Sequence, residues 1–410
     1  MINDLLLFLD DSPTPFHATN NLVAQLESAG FTRWEGELDN GQYYETRNDS
    51  SLIAWQGAET ANSQGFKMVG AHTDSPCLKL KPNAIVKKNG YLQCGVEVYG
   101  GVLQHSWFDR DLALAGRVSG IDKNGNIASE LMNVRQSLGI IPSLAIHLNR
   151  DANKNNSVNP QEHLPVLISS NDSQNTVAEV LLQYSKTKLA KITDFELSFY
   201  DHQGASILGL NQEFIVSARL DNLLSCYLGC TALTASPNTS PALLVCTDHE
   251  EVGSASTSGA AGPFLASILR SLAGDQNNSD QVLQNSILVS ADNAHALHPN
   301  YADKHDDKHG PKLNGGPVIK VNANQRYATN SETSAAFKSA CSKAEVPVQT
   351  FVTRSDMSCG STIGPITATE LGVPTVDVGV PQFAMHSIRE TAGVTDCEYM
   401  LKALIAFYDS

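Results

Sequence analysis

The sequence predicts an α/β fold: a mixed central sheet flanked by helices, interrupted by an inserted β-rich domain. Three observations carry this. First, five apolar runs each lead into residues that can ligate a metal. Met68 to Ala71 runs into His72-Thr73-Asp74, and Phe214 to Ala218 runs into Arg219-Leu220-Asp221-Asn222. Leu243 to Thr247 runs into Asp248-His249-Glu250-Glu251, and Ile287 to Ala291 runs into Asp292. Thr375 to Val380 is followed shortly by His386. In an open, mostly parallel sheet, residues just past the carboxyl ends of strands gather in one crevice. Second, from about 84 to 208 the texture changes to hairpin signals, such as Lys88-Asn89-Gly90 and Lys123-Asn124-Gly125-Asn126. Third, from about 209 strand-like and helix-like runs alternate again. The division is therefore read as 1–84 and 209–410 for the α/β domain, with 85–208 inserted.

The elements follow in order. Asp11-Ser12-Pro13-Thr14-Pro15 stops a short first helix and restarts another. Ser12 or Thr14 can cap the second, which runs to Gly30 with Leu22 and Leu26 at helical spacing. Ser51 to Trp55 is a short strand, ahead of the one ending at His72. Within the insert, Asn149 to Glu162 carries asparagines at 149, 153, 155, 156 and 159 and reads as an exposed or partner-covered loop. Later, Asn222 to Ala235 and Pro263 to Ala273 read as helices, and Gln325 to Ala344 as mostly helical. Val348 to Thr353 reads as a strand, and the chain ends on a helix from Asp396 to Tyr408.

Composition narrows the function. A chain of 410 residues with 41% hydrophobic content can bury a sizeable core. A net charge of −15 argues against nucleic acid and anionic membrane surfaces as partners. No apolar stretch approaches the length of a membrane span. Met1 to Asp10 carries Asp4 and Asp10 with no basic segment, so it does not read as a secretory signal. The eight cysteines are scattered without a CxxC pair. A reducing, cytoplasmic location is expected.

The strand ends suggest a chemistry. His72, Asp221, Glu251, Asp292 and His386 supply three carboxylates and two imidazoles. Against two divalent ions the sum is one positive charge, which a hydroxide neutralises. That balance suits a two-metal hydrolase with ions about 3.5–4 Å apart, bridged by a carboxylate for which Asp221 is the candidate. Glu250, beside a proposed ligand, can serve as general base toward the attacking water. Asp74, two residues after His72, suits accepting the ring N–H of that ligand. Other readings stay open here. Glu250-Glu251 can be a solvated pair, and His295, His298, His305 or His309 can ligate instead. Cys359 in Ser358-Cys359-Gly360 can be a nucleophile.

Taken together, these stretches resemble the aspartyl aminopeptidase family, metallopeptidase family M18. The resemblance runs from Ser12-Pro13-Thr14-Pro15-Phe16-His17 to His386-Ser387-Ile388-Arg389-Glu390. Between them lie Ala71-His72-Thr73-Asp74-Ser75-Pro76, Trp107-Phe108-Asp109-Arg110-Asp111-Leu112 and Asp248-His249-Glu250-Glu251-Val252-Gly253-Ser254. Asp292-Asn293-Ala294-His295-Ala296, Gly316-Pro317-Val318-Ile319-Lys320 and Cys359-Gly360-Ser361-Thr362-Ile363-Gly364-Pro365 continue it.

The resemblance implies a zinc-peptidase-like catalytic domain, with the insert as a dimerisation or lid domain. It implies that His72, Asp221 and Asp292 serve one metal and Asp221, Glu251 and His386 the other. Glu250 would be the general base and Asp74 the residue orienting His72. Lys320 matches a lysine that receives the substrate's acidic side chain. His163 matches a histidine offered to a neighbouring subunit's active site. The implied reaction is removal of N-terminal Asp or Glu from peptides by two divalent ions, Zn2+ first, with Co2+ or Mn2+ also suitable. The implied assembly is a homododecamer built from dimers. A broad-specificity metalloaminopeptidase or a metal-dependent deacylase is the alternative on the same ligands. A non-enzymatic shell would have no need of Glu250.

Overall fold

The computed structural model describes residues 1–155, 157–170, 189–237, 240–274 and 276–410. Asn156, one of the five asparagines in the polar stretch, lies outside the described residues, as does 171–188 of the insert. Contacts divide the chain into two compact units. One comprises Met1–Asp74, Ala205–Met385 and Glu390–Ser410; the other comprises Ser75–Gly204 and His386–Arg389. The first joint falls before 85 because the strand Cys77–Lys88 pairs within the second unit's sheet.

The first unit is built on a nine-stranded mixed sheet. Its middle strands are Ala242–Thr247, Lys67–His72, Ile287–Ala291 and Thr375–Gly379, in that order and all parallel. Ser51–Gln56 adds antiparallel on one side and Val318–Val321 antiparallel on the other. The four middle strands are buried nearly throughout, as strands covered on both faces are. Their side chains alternate between two cores. Val69, Ala71, Leu244, Cys246, Val289 and Ala291 face one; Met68, Leu243, Val245 and Leu288 face the other.

The helices Ile2–Asp11, Pro15–Ser28, Leu220–Ala235 and Val394–Tyr408 contribute to the first core. Leu220–Ala235 is apolar around nearly its whole circumference and is almost fully buried, the expected fate of such a helix. Phe264–Ala273 packs on the opposite face. Thr14 does hold the N-cap position of the second helix, but its hydroxyl meets His17 Nδ1 at 2.8 Å instead of capping a backbone N–H. The segment from Gln325 is helical only over Ser331–Lys343, because Asn330 and Thr333 form a capping box that starts the helix there.

One expected strand belongs elsewhere. Phe214–Ser217 does not join the central sheet; it pairs antiparallel with Ser206–Leu208 and Glu390–Gly393 in a five-stranded sheet. Apolar character alone cannot tell which sheet a four-residue strand joins.

The second unit is a six-stranded antiparallel sheet. Both expected hairpins are present: Cys77–Lys88 with Tyr91–Tyr99, and Leu112–Asp122 with Ile127–Gly139. Asn89 and Gly90 turn the first at positive φ, where asparagine and glycine are least strained. Just past the edge strand Ile127–Gly139, Ile140 forms a bridge with Leu167 of the other edge strand, Val166–Ser169. Leu78, Leu114, Val118, Leu197 and Phe199 fill this unit's core. Among the described residues, no helix is long and apolar enough to cross a membrane.

Candidate metal centre

Parallel pairing brings the ends of three central strands to one edge of the first unit. Thr247 lies opposite His72, and Ile287–Ala291 flanks the other side of the same strand. Residues just beyond these ends therefore converge.

His72 is 1% exposed. Its Nδ1 lies 3.0 Å from the Asp74 carbonyl oxygen and 3.3 Å from Asp74 Oδ1. Those acceptors put the ring proton on Nδ1 and the lone pair on Nε2. Nε2 faces Asp221 Oδ1 at 3.5 Å and Glu250 Oε2 at 4.0 Å. Asp74 is buried as deeply, and it anchors the opposite wall. Its Oδ1 accepts the N–H of Glu250 at 3.1 Å, and its Oδ2 accepts that of Glu251 at 3.1 Å. One carboxylate thus sets both the imidazole and the two glutamates.

Asp221 is reached through a left-handed turn at Arg219, whose φ is 60°. The Arg219 guanidinium donates to the carbonyls of Leu9 and Ser12 and ties this turn to the first two helices. The Asp221 N–H donates to Glu390 Oε2 at 2.9 Å, and Asn222 Nδ2 donates to the Ala291 carbonyl at 2.8 Å. Asp292 follows that carbonyl, and its own N–H donates to Val378.

Within the first unit, two ligand groupings result. Donor atoms of His72, Asp221 and Asp292 lie within 4.8 Å of one another, as do those of His72, Glu250 and Glu251. Imidazole and carboxylate donors in this mixture suit zinc and its neighbours. The electrostatics point the same way. Burial, then crowding by Asp292, Asp221 and Asp74, pushes the Glu250 carboxyl up to about 7 against the pull of His72. Burial lifts Asp292 to about 6, although Lys320 opposes it, and lifts Glu251 well above the carboxylate range. Burial also disfavours charge on His72, but Asp221 and Asp74 outweigh it and raise the imidazole well above its ordinary value. A pocket of buried acids this crowded favours bound cations.

The remaining expected residues lie as follows. Lys320, on Val318–Val321, is 3% exposed; its Nζ donates to the Asn293 carbonyl at 3.2 Å and lies 3.6 Å from Asp292 Oδ2. His386 belongs to the second unit and has a φ of 69°. Its Nδ1 meets the Gly101 carbonyl at 3.1 Å, which places its lone pair on Nε2. His163 ends the short helix Pro160–His163, is exposed, and accepts the Asn159 N–H at Nδ1.

The alternative histidines go elsewhere. His295 packs on Phe351, His298 sits against Tyr301 and Phe383, His305 accepts the His298 N–H, and His309 pairs with Asp306. Cys359 shares a cavity with His295, His298 and His305, apart from both ligand groupings.

A family model for the aminopeptidase I zinc metalloproteases (M18) matches residues 8–408. The chain belongs to the M18 aminopeptidase family. A probable M18 family aminopeptidase 2 of Ectopseudomonas mendocina is 55% identical, over 100% of this chain and 98% of the relative. Among solved structures, Ape4 in a cryo-EM complex with Nbr1 superposes with a TM-score of 0.94 at 38% identity, covering 99% of this chain and 84% of that one. The mApe1 dodecamer of S. cerevisiae gives 0.86 at 25% identity, covering 99% and 96%. This M18 chain is accordingly a metallo-aminopeptidase, a hydrolase with the α/β fold of its family.

Three supporting residues escaped the sequence reading. Glu390 holds the Asp221 amide, Asn222 braces the Ala291 carbonyl, and Asn293 donates to the Leu220 carbonyl and to Gln382 Oε1. Glu390 carries no spacing signal, whereas Asn293 directly follows the proposed ligand Asp292. Asn222 did stand next to a proposed ligand.

Proposed function

We propose that this M18 aminopeptidase removes N-terminal Asp or Glu from peptides with two divalent ions. Support for the two-metal part comes from the buried grouping of His72, Asp221 and Asp292, with the Glu250 and Glu251 amides held beside it by Asp74. His72, Asp221 and Asp292 would hold one ion, and Asp221, Glu251 and His386 the other. His386 enters on the sequence resemblance and on the lone pair at its Nε2. The ions, when bound, supply Lewis acidity toward the scissile carbonyl and lower the pKa of water.

Glu250 then has the proton work. Its carboxylate, beside the ligands on a backbone that Asp74 holds, can take a proton from the attacking water and give it to the leaving amine. Asp74 keeps the Glu250 backbone fixed while the proton moves. Lys320 would pair with the substrate's acidic side chain. A buried ammonium that loses its partner is costly, so neutral side chains should be poorer substrates. A broad-specificity aminopeptidase remains the second reading. It is favoured by the contacts Lys320 already makes with Asn293 and Asp292.

His163 would serve a neighbouring copy, in a homododecamer like that of the yeast relative. The site is expected to work in the cytoplasm.

The test is metal-dependent release of Asp from an Asp-initiated dipeptide, beside a Leu-initiated dipeptide and an N-blocked peptide. Selective, chelator-sensitive release of Asp supports the proposal. Cleavage of Leu but not Asp would discard Lys320 as the selector, and cleavage of the blocked peptide would discard the free-amine requirement.

A further inference from the structure

A second buried carboxylate belongs to the neighbourhood of Lys320, and no motif points to it. Asp377 interrupts the apolar strand Thr375–Gly379 and is 0% exposed. Three features show that the fold is shaped around it. Thr362 occupies the N-cap of the helix Ile363–Leu371, yet its hydroxyl caps nothing and instead donates to Asp377 Oδ1 at 2.6 Å. Asp377 Oδ2 accepts the Ala328 N–H at 2.6 Å, and the Asp377 N–H donates to Thr329 Oγ1 at 2.9 Å. Gly364 leaves the room the carboxylate needs, since a Cβ there would lie 2.3 Å from Asp377 Oδ1.

These contacts clamp the segment that carries Tyr327, and the Tyr327 ring centroid lies 5.2 Å from Lys320 Nζ. Lys320 is the only Lys or Arg among the described buried residues. Its Nζ lies 3.6 Å from Asp292 Oδ2, and the antiparallel register that pairs Ile319 with Val378 sets Lys320 beside Asp377. The two acids are not equivalent. Asp292 would be committed to a metal, which takes up its charge. Asp377 has no such duty. Its carboxylate is held by the Thr362 hydroxyl and the Ala328 N–H, and its own N–H by Thr329.

We propose that Asp377 is a positioning residue for substrate specificity, fixing Lys320 and its Tyr327 cover so that the ammonium meets an acidic first side chain. This rests on the reading of Lys320 as the acid selector. An ammonium buried without a counter-charge would be unfavourable, so its geometry depends on the acid behind it. Tyr327 supplies a ring face to the same cation, and its place is set by the Asp377–Ala328 bond.

The experiment uses the full chain, loaded with Zn2+, and measures kcat and KM for Asp- and Leu-initiated dipeptides. The variants are Lys320→Met, Asp377→Asn, both together, and Thr362→Val as a milder change should Asp377→Asn fail to fold. Asp377→Asn should cut the Asp-to-Leu preference in kcat/KM at least 10-fold, mostly through KM, with Leu turnover within about threefold. Thr362→Val should shift the preference in the same direction by a smaller factor. In the Lys320→Met background, Asp377→Asn should change the preference no further. Equal loss on both substrates, or an effect that persists without Lys320, would overturn the proposal. If Lys320→Met itself leaves the preference unchanged, the reading of Lys320 fails, and that single variant reports it separately from the coupling.

Discussion

Asp74→Asn is the most informative single change, because Asp74 touches both halves of the centre. Its two oxygens each accept one backbone N–H, from Glu250 and Glu251, at 3.1 Å. Its Oδ1 also faces His72 Nδ1 at 3.3 Å. An asparagine keeps one acceptor and turns an amino group toward the other N–H. One charge-assisted hydrogen bond is lost, about 1.5–3 kcal/mol, and a donor now faces a donor. In the metal-free protein a second effect opposes this. Asp74 contributes to the crowding that raises Glu250 and Glu251, so its neutralisation relieves repulsion. With metal bound the repulsion is already compensated, and the lost bonds show in full. We therefore expect a fall of roughly 10–100-fold in metal affinity, the usual scale for residues that orient ligands. The melting temperature should drop more in the Zn2+-loaded protein than in the chelated one. Competition with a metal-binding dye and thermal scans with and without chelator check this. Affinity within twofold of the parent, with activity retained, would refute the role given to Asp74.

Three further outcomes are expected. Glu250→Gln should lower kcat by roughly 10²–10⁴ while leaving metal content unchanged, measured by turnover and elemental analysis; loss of metal would make Glu250 a ligand instead of a base. Gly379→Ala should destabilise by about 1–3 kcal/mol and weaken metal binding, because a Cβ there would lie 2.0 Å from the Asp292 carbonyl oxygen. Denaturant midpoints and metal titration report the two effects, and neither should change if the strands can part freely. Asp396 is held at about 7, chiefly by burial, against an ordinary 3.8. The folded chain therefore holds this proton where the unfolded chain has lost it, so stability falls as pH rises from about 4 to 7. That slope is worth up to about 4 kcal/mol, and Asp396→Asn should flatten it in pH-dependent unfolding. An unchanged slope would remove Asp396 as its source.

Much of this was legible in the sequence, and the reason is geometric. Parallel strands end at a common edge, so apolar runs closing on His72, Glu250-Glu251 and Asp292 imply convergence. Asn-Gly turns made the second unit's hairpins readable. What stayed hidden depends on contacts distant in sequence. Phe214–Ser217 looks like its neighbours in composition, yet joins another sheet through residues 390–393. Glu390 reaches the Asp221 amide across 169 residues, and no local pattern encodes that. Asp377 did leave a trace: an acid inside a strand buried at every position needs a partner, and Thr362 and Ala328 are those partners.

The crowding of acids around His72 has a consequence for how stability and chemistry are joined. Asp74, Asp221, Glu250 and Glu251 are drawn together although each raises the cost of ionising another. Backbone donors hold them in place: Glu250 and Glu251 amides on Asp74, and the Asp221 amide on Glu390. These donors are fixed by the fold and do not reorganise during reaction, which is the condition for electrostatic preorganisation. Protonation is one way to relieve the crowding, and cations are the other. Only the second leaves Asp221 and Glu251 free to ligate and Glu250 able to accept a proton. Divalent ions should therefore stabilise the folded chain by mass action as well as activate it. The loops that carry the acids, from Arg219 to Asn222 and from Asp248 to Gly253, would be the first to loosen under chelation. They place the ligands through left-handed turns at Arg219 and His249 rather than through the sheet itself.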